Sequence, residues 1–342
     1  MRRTHLVSLG IAAAIAAALA LSTEPVAGQA ATRALRTSWG DPDLQGTWTN
    51  STTTPLERPS DVAGKVTLTP QERAARDATL SAAAAVQRPP QPGDTGFYNA
   101  FWLEAGKSSA RTSLLVDPPD GKLPALTPGA RKQADALEAV RRRPPTSWMD
   151  MNTYDRCISR GLPGAMMPGF YNHNYQILQT PAYVAIVVEM IHDARIIPLD
   201  GRPHLGPGLK QWLGDSRGRW EGETLVVETR NFNDKINEFT TNFMRLPNGE
   251  PLGEGYYASF GTADMTLVER FTRVDANTID YRFTVTAPQT FVKPWTATAP
   301  LTKLDGRVFE YACHEGNYAV RHMLSGARAQ EQAAARRKSG GQ

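Results

Sequence analysis

The feature that most constrains the fold is a series of short strand patterns that follow one another from about residue 169 to residue 325. In Thr278–Thr286, apolar residues such as Ile279 and Tyr281 alternate with polar ones, as in a strand with one buried and one solvated face. Short turns such as Asp305-Gly306 separate the strands. About eight or nine strands joined in this way predict a mainly β fold, an antiparallel up-and-down β-barrel.

The predicted strands share this alternation or a continuous apolar run, and they are Tyr175–Thr180, Tyr183–Met190, Ala194–Leu199, Asp215–Trp220, Glu223–Asn231, Met265–Val274, Thr278–Thr286, Trp295–Leu304 and Arg307–His314. Before them, residues 31–168 predict a Pro-rich arm with short helices that packs on the barrel. Thr69-Pro70 and Thr127-Pro128 each supply an N-cap and a proline at the first helical position. A third helix is predicted for Trp148–Ser159, and residues 326–342 predict a frayed or disordered tail.

The N-terminus has the three parts of a secretory signal peptide, over residues 1–30. Arg2 and Arg3 are positively charged, Leu6–Leu21 is small and apolar, and small residues follow at plausible cleavage positions. The apolar run is shorter than the roughly 20 residues that span a bilayer, although an uncleaved anchor is the alternative. The sequence therefore predicts a periplasmic or secreted protein without stable membrane insertion after the signal is removed.

Two cysteines, Cys157 and Cys313, are the only ones in the chain. In an oxidising compartment an even pair usually forms a disulfide bond. The alternatives are two buried thiols, or one reactive thiol in Cys313-His314.

The balance of charge argues against a nucleic-acid partner. The formal net charge is only +4, and basic and acidic residues are mixed along the chain without a concentrated basic stripe. A small-molecule ligand or substrate is the predicted partner.

Four ionisable residues crowd the end of an otherwise apolar strand, in Glu189-Met190-Ile191-His192-Asp193-Ala194-Arg195. A histidine beside carboxylates is suited to proton transfer near neutral pH. His192 with Asp193 is therefore predicted to be catalytic. The alternative is a histidine that only secures the turn.

The last predicted strand carries a second cluster. Glu310 and His314 share one face, and they are predicted to be catalytic if His314 converges with His192 at one barrel mouth. Four further residues are predicted to bind substrate: Glu189, Arg195, Tyr175 and Trp220. No cofactor is predicted, because the spacing of His173, His192 and His314 matches no metal-binding motif. The alternative is a metal site that these three histidines form with a carboxylate.

Several motifs carry a resemblance. Gly46-Thr47-Trp48 is similar to the Gly-x-Trp that opens the first strand of lipocalins. The stretches 42–48 (PDLQGTW), 111–121 (RTSLLVDPPDG), 189–195 (EMIHDAR), 212–222 (WLGDSRGRWEG) and 311–317 (YACHEGN) resemble an uncharacterised family of secreted bacterial proteins. The resemblance implies a lipocalin-like barrel and an extracytoplasmic location, and it carries no catalytic assignment.

Two functions are consistent with these observations. The first is an enzyme of hydrolase or lyase type that uses histidine and carboxylate acid–base chemistry on a small organic or sugar-like substrate. The second is a non-enzymatic lipocalin-like binding protein for a small apolar or amphipathic ligand. Convergent histidine, arginine and carboxylate groups favour the enzyme, whereas a purely apolar cavity favours the binder.

Overall fold

The computed structural model describes residues 35–85, 104, 106–169, 171–236 and 263–339. The chain divides into two units, of which the first ends at Asp41 and the second begins at Pro42. The described part of the first unit is a turn in which the Thr37 amide donates to the Asp41 carbonyl over 2.9 Å. The predicted signal peptide lies outside the described residues.

The strands of the second unit form one antiparallel sheet. In chain order they are β1 (Gly46–Thr49), β2 (Leu115–Asp117), β3 (Asn174–Gln179), β4 (Tyr183–Val188), β5 (Ala194–Pro198), β6 (Asp215–Glu221), β7 (Thr224–Arg230), β8 (Thr266–Asp275), β9 (Thr278–Thr286), β10 (Trp295–Thr298) and β11 (Leu301–Lys303). The hydrogen-bonded order is β5-β4-β3-β1-β11-β9-β8-β7-β6, and β10 pairs with both β9 and β2. Nine strands therefore form a nearly closed barrel, and the predicted mainly β, lipocalin-like fold is confirmed.

The barrel comes close to closing where β5 approaches β6. Gly218 on β6 has no room for a side chain, because an added Cβ would lie 2.8 Å from Ile197 and 2.7 Å from Leu199. A glycine at this position lets the two strands approach each other.

Large side chains fill the inside of the barrel, as in other small barrels. Phe271 on β8 and Tyr281 on β9 stack with ring centroids 4.6 Å apart, and both are fully buried. The other large buried residues of the core include Trp48, Tyr175, Phe283, Phe291 and Trp295. Burial of each such side chain contributes about 1.5–3 kcal/mol.

The segment with the lipocalin-like motif supplies a barrel strand. β1 lies between β3 and β11, and Trp48 pairs with Tyr175 on one side and Lys303 on the other. The Trp48 indole N–H donates to the Leu44 carbonyl over 3.0 Å, and the Arg273 guanidinium covers its ring. Two strands, β1 and β2, thus come from the predicted arm and lie outside the barrel boundaries of 169–325.

In the ranges that the structure describes, the α-helices are α1 (Pro70–Ala85), α2 (Pro128–Arg142) and α3 (Ala319–Ser339). The predicted caps are present, since the Thr127 hydroxyl accepts from the Ala130 amide over 3.2 Å. Short 3₁₀ turns cover Ser60–Val62, Trp148–Asp150, Gly164–Met166 and Met190–His192. No helix in the described ranges is long and apolar enough to cross a membrane.

Two predicted elements are wrong. The helix Trp148–Ser159 ends after one 3₁₀ turn at Asp150, and Cys157 has a φ of 54° that an α-helix does not accommodate. The predicted strand Arg307–His314 is a segment outside the sheet, without regular secondary structure up to a turn that begins at Cys313. Its backbone bonds to residues of the β4–β5 turn instead of to a neighbouring strand.

Candidate functional site

The turn between β4 and β5, residues 189–193, has an unusual backbone. Ile191 has a φ of 64° and His192 a φ of 51°, so two consecutive non-glycine residues occupy the left-handed region. For a β-branched residue such as Ile191 this conformation is costly, about 1–3 kcal/mol, and such outliers cluster at functional sites. The surrounding structure holds it, since the Val188 amide donates to the Asp193 carbonyl over 2.8 Å.

The imidazole of His192 is exposed, and one of its two ring nitrogens is held by a hydrogen bond. Nδ1 lies 2.9 Å from the carbonyl oxygen of Tyr311. Because a carbonyl only accepts, Nδ1 carries the proton in this bond, and the lone pair of a neutral ring is then on Nε2. The contact therefore presets the tautomer in which Nε2 can accept a proton at the protein surface.

Asp193 lies next to this imidazole and is half-buried. The Ser159 hydroxyl donates to Asp193 Oδ2 over 2.9 Å. Burial raises the pKa of Asp193, and the Ser159 bond and the charge of His192 oppose that rise. Asp193 thus keeps its proton to higher pH than an exposed aspartate does, which suits it to donate one.

Glu189 holds the turn to two other segments. It is buried, and the Asn174 side-chain amide donates to Oε2 over 2.6 Å. The Phe309 backbone amide donates to Oε1 over 2.9 Å. With both oxygens bonded to the protein, Glu189 positions the turn and the 307–314 segment.

A disulfide bond also holds the 307–314 segment in place. Cys157 and Cys313 are joined, with an S–S distance of 2.07 Å and a Cα–Cα distance of 5.7 Å. The bond places Ser159 and Tyr311, each two residues from a cysteine, beside Asp193 and His192.

Three tyrosines meet beside the same segment and form what we call the tyrosine cluster: Tyr154, Tyr171 and Tyr311. The hydroxyls of Tyr154 and Tyr171 are 2.9 Å apart. Burial raises the pKa of both, and the neighbouring Tyr311 raises each further. All three side chains are half-buried.

A guanidinium and a buried imidazole adjoin the tyrosine cluster. The Arg160 guanidinium lies 5.4 Å from the centroid of the Tyr154 ring, and its Nη1 donates to His173 Nε2 over 2.7 Å. Burial, and then the charge of Arg160, lower the pKa of His173 well below its usual value. His173 is therefore neutral, and Arg160 is the positively charged member of the pair.

The other residues predicted to act at the site lie elsewhere. Tyr175 is buried on β3, where its hydroxyl donates to Asn50 Oδ1 over 3.2 Å. Arg195 is buried on β5 and pairs with Glu269, and Trp220 is half-buried on β6. Glu310 and His314 are exposed in the 307–314 segment, and neither side chain bonds to His192 or Asp193 within the described part of the chain.

Over the described residues, no group of three or more His, Cys, Asp and Glu side chains could hold a metal ion. A pocket of about 420 Å³ shares no residue with the predicted site, and it is lined by Lys210, Trp212, Asn233, Asp234, Lys235 and Ala263.

Sequence reasoning did not select five residues of this region: Tyr154, Ser159, Arg160, Tyr171 and Tyr311. A signal was present in the polar stretch around Cys157, because a predicted disulfide already placed that stretch beside Cys313. The signal was overlooked because the same stretch was predicted to be a helix, Trp148–Ser159.

The fold and the turn define a mainly β protein with a lipocalin-like barrel and an exposed histidine held on a strained turn. Comparisons with protein-family models, with curated proteins and with solved structures each found no match for this chain.

Proposed function

We propose that the protein is a periplasmic or secreted enzyme that performs acid–base chemistry of hydrolase or lyase type on a small organic or sugar-like substrate. The observation that carries the proposal is the contact between His192 Nδ1 and the Tyr311 carbonyl, on a turn with two consecutive left-handed residues. It prepares Nε2 as a general base at an exposed position.

The neighbouring carboxyl group supports a paired mechanism. Nε2 of His192 removes a proton from the substrate or from a water molecule. Asp193, whose pKa is raised by burial, returns a proton to the leaving group. A carboxyl group whose pKa is raised by burial is typical of acid–base sites.

The positions of the supporting residues agree with this division of roles. Glu189 accepts a hydrogen bond from Phe309, and Ser159 donates one to Asp193. Both are therefore positioning residues. The disulfide Cys157–Cys313 keeps Tyr311 in place, and it supports the proposed extracytoplasmic location because such bonds persist in oxidising compartments.

The alternative, a binder of an apolar ligand inside the barrel, has less support. The barrel interior contains fully buried aromatic side chains, among them Trp48, Tyr281 and Phe283, where a lipocalin-like binder needs space for its ligand.

The test is a variant that removes the imidazole and preserves the backbone. His192→Asn suits this purpose because asparagine tolerates a positive φ better than alanine does. The matched control is His322→Asn, since His322 is an exposed histidine on α3. Rates are measured for the mature, oxidised protein on a panel of nitrophenyl esters, lactones and 3-hydroxy acids.

We expect His192→Asn to reduce turnover by about 10²–10⁴-fold, with the control unchanged, as for loss of a general base. Thermal midpoints within a few degrees of the parent would show that folding is retained. Equal rates in His192→Asn and the parent, or no turnover of any panel member by the parent, contradict the proposal.

A further inference from the structure

The surface pocket of about 420 Å³, which we call the Trp212 pocket, lies where the β5–β6 connection meets the chain after β7. The Gln211 backbone amide donates to the Asn231 carbonyl over 2.9 Å, and the Asn233 backbone amide donates to the Gln211 carbonyl over 3.0 Å. Gly214 allows this close approach, because an added Cβ would lie 2.7 Å from the Arg230 carbonyl oxygen. The pairing therefore holds side chains of both segments beside one another.

Trp212 gives the pocket its apolar surface. The side chain is half-buried, and within the described ranges its indole N–H has no hydrogen-bond partner. An indole has a flat apolar face on which another ring can lie, and its N–H is a hydrogen-bond donor at the ring edge. Both properties favour a ligand that contains a ring and carries acceptor oxygens.

Two ammonium groups give the pocket a positive balance. Lys210 and Lys235 line it together with a single carboxylate, that of Asp234. The Lys210 ammonium donates to the Ala263 carbonyl over 3.0 Å, which uses one of its three N–H groups. The Lys235 ammonium has no partner in the part of the chain that the structure describes. The balance favours a ligand with one negative charge.

Asn233 and Asp234 add groups that suit hydroxyls. Asn233 Oδ1 accepts from the Lys235 backbone amide over 3.1 Å, so the donors of Asn233 Nδ2 remain for a ligand. The Asp234 carboxylate only accepts, whereas a hydroxyl both donates and accepts and can bond to both side chains. Phe232 and Ile236 are buried on either side, which anchors the three polar residues between them.

We propose that the Trp212 pocket binds a sugar acid, a monosaccharide ring that carries hydroxyls and one carboxylate. The ring lies on Trp212, and its carboxylate meets the ammonium groups of Lys210 and Lys235. Its hydroxyls bond to Asn233 and Asp234. An aromatic carboxylate fits less well, because it brings no donor to the Asp234 carboxylate.

The size of the pocket agrees with a small ligand, since small-molecule sites have volumes of about 300–1,000 Å³. The pocket shares no residue with the turn that carries His192. This binding site therefore goes beyond the proposed function and does not rest on it.

The experiment titrates the mature, oxidised protein with D-glucuronate at neutral pH and measures affinity from the NMR signals of the ligand. D-glucose, which lacks the carboxylate, and benzoate, which lacks the hydroxyls, form the other arms. The indole N–H signal of Trp212 locates the site. The chain has 7 tryptophans, so this signal is assigned by its loss in Trp212→Phe.

We expect D-glucuronate to bind with a Kd of about 1 mM, the range for a ligand of about 13 non-hydrogen atoms at ordinary ligand efficiency. It should shift the Trp212 signal. D-glucose and benzoate should each bind at least about tenfold more weakly, because each lacks one set of hydrogen bonds to charged groups.

Two variants remove one component of the pocket each. Trp212→Ala removes the ring, and Lys235→Met removes a charge while it keeps the length of the side chain. Each should weaken D-glucuronate binding by about tenfold or more. The matched controls, Trp148→Ala and Lys293→Met, should bind as the parent does. Trp148 and Lys293 are exposed and do not line the pocket, and the Arg156 guanidinium lies 5.3 Å from the centroid of the Trp148 ring.

D-glucuronate that binds the parent no more tightly than D-glucose overturns the proposal without reference to any variant, so a variant that fails to fold does not protect it. Benzoate that binds as tightly as D-glucuronate also overturns it. The same holds for binding that leaves the Trp212 signal unmoved, and for a Lys235→Met variant that binds as the parent does.

His192→Asn separates this site from the proposed function. It should bind D-glucuronate as the parent does, because it changes no residue that lines the pocket. A parent protein that binds D-glucuronate but turns over no substrate of the panel contradicts only the proposed function. A parent protein that turns over a substrate but does not bind D-glucuronate contradicts only the Trp212 pocket.

Discussion

Arg195 on β5 and Glu269 on β8 form an ion pair inside the barrel, with two bonds of 3.0 and 2.5 Å between the guanidinium and the carboxylate. Both side chains are almost fully buried, and the Tyr281 hydroxyl donates to Glu269 Oε1 over 2.9 Å. The pair links the strand at one edge of the nearly closed sheet to a strand near the opposite edge.

Removal of one partner of this pair should be strongly destabilising. Arg195→Met leaves the Glu269 carboxylate buried without its cation, at a cost of about 3–5 kcal/mol in the free energy of unfolding. The double variant Arg195→Met/Glu269→Leu should recover much of that loss, because it removes both charges. Urea unfolding of the three proteins measures the difference.

An exposed pair provides the control. Arg282 and Asp280 on β9 are 2.9 Å apart with the arginine side chain 56% exposed, so Arg282→Met should change stability by no more than about 1 kcal/mol. An Arg195→Met variant as stable as Arg282→Met would show that the buried pair does not hold the strands together.

The disulfide should make a large contribution to stability and keep the proposed site intact. Replacement of Cys157 and Cys313 by serine should lower the free energy of unfolding by about 2–5 kcal/mol, because the unfolded chain regains its freedom. The Tyr311 carbonyl would also lose its restraint beside His192, so turnover should fall.

Thiol labelling gives an independent measurement for this bond. The native protein should react with no labelling reagent until it is both unfolded and reduced, since Cys157 and Cys313 are the only cysteines in the sequence. Rapid labelling of both thiols in the native protein under non-reducing conditions contradicts the prediction.

His173 should make the protein less stable in mild acid. Its pKa is well below the usual value in the folded state, because burial and the charge of Arg160 oppose protonation. Below about pH 6.5 the unfolded chain therefore binds a proton that the folded chain does not, and stability falls as the pH falls towards the folded pKa.

His173→Gln should flatten this dependence, because glutamine can still accept from Arg160 and does not titrate. Urea unfolding of both proteins between pH 7 and pH 5 tests it. The same loss of stability on acidification in the variant and the parent would assign the effect to other groups.

Much of the fold was predictable because strand alternation is a local signal. Ile279, Tyr281 and Phe283 face the core, as their spacing predicts, and β9 has the predicted limits. The 307–314 segment has a similar alternation but no partner strand. Its Phe309 amide bonds to Glu189, 120 residues away, and no local pattern contains that information.

The site was only partly predictable, because several of its contacts join residues that are far apart in the sequence. The charged residues of the β4–β5 turn stand out in an apolar strand, so His192 and Asp193 could be selected from the sequence. Arg195 was selected with them, but its partner Glu269 lies on β8 and makes Arg195 a core residue. The tyrosine cluster combines Tyr154, Tyr171 and Tyr311, whose meeting depends on the disulfide and the fold.

The order of synthesis gives the disulfide a consequence for assembly. β11 ends at Lys303, so Cys313 is made only after the last strand of the barrel. A chain that emerges from its N-terminus has all its strands available before the second cysteine appears. The bond can therefore form only after all the barrel strands have been synthesised. It brings Tyr311 to His192 only in such molecules.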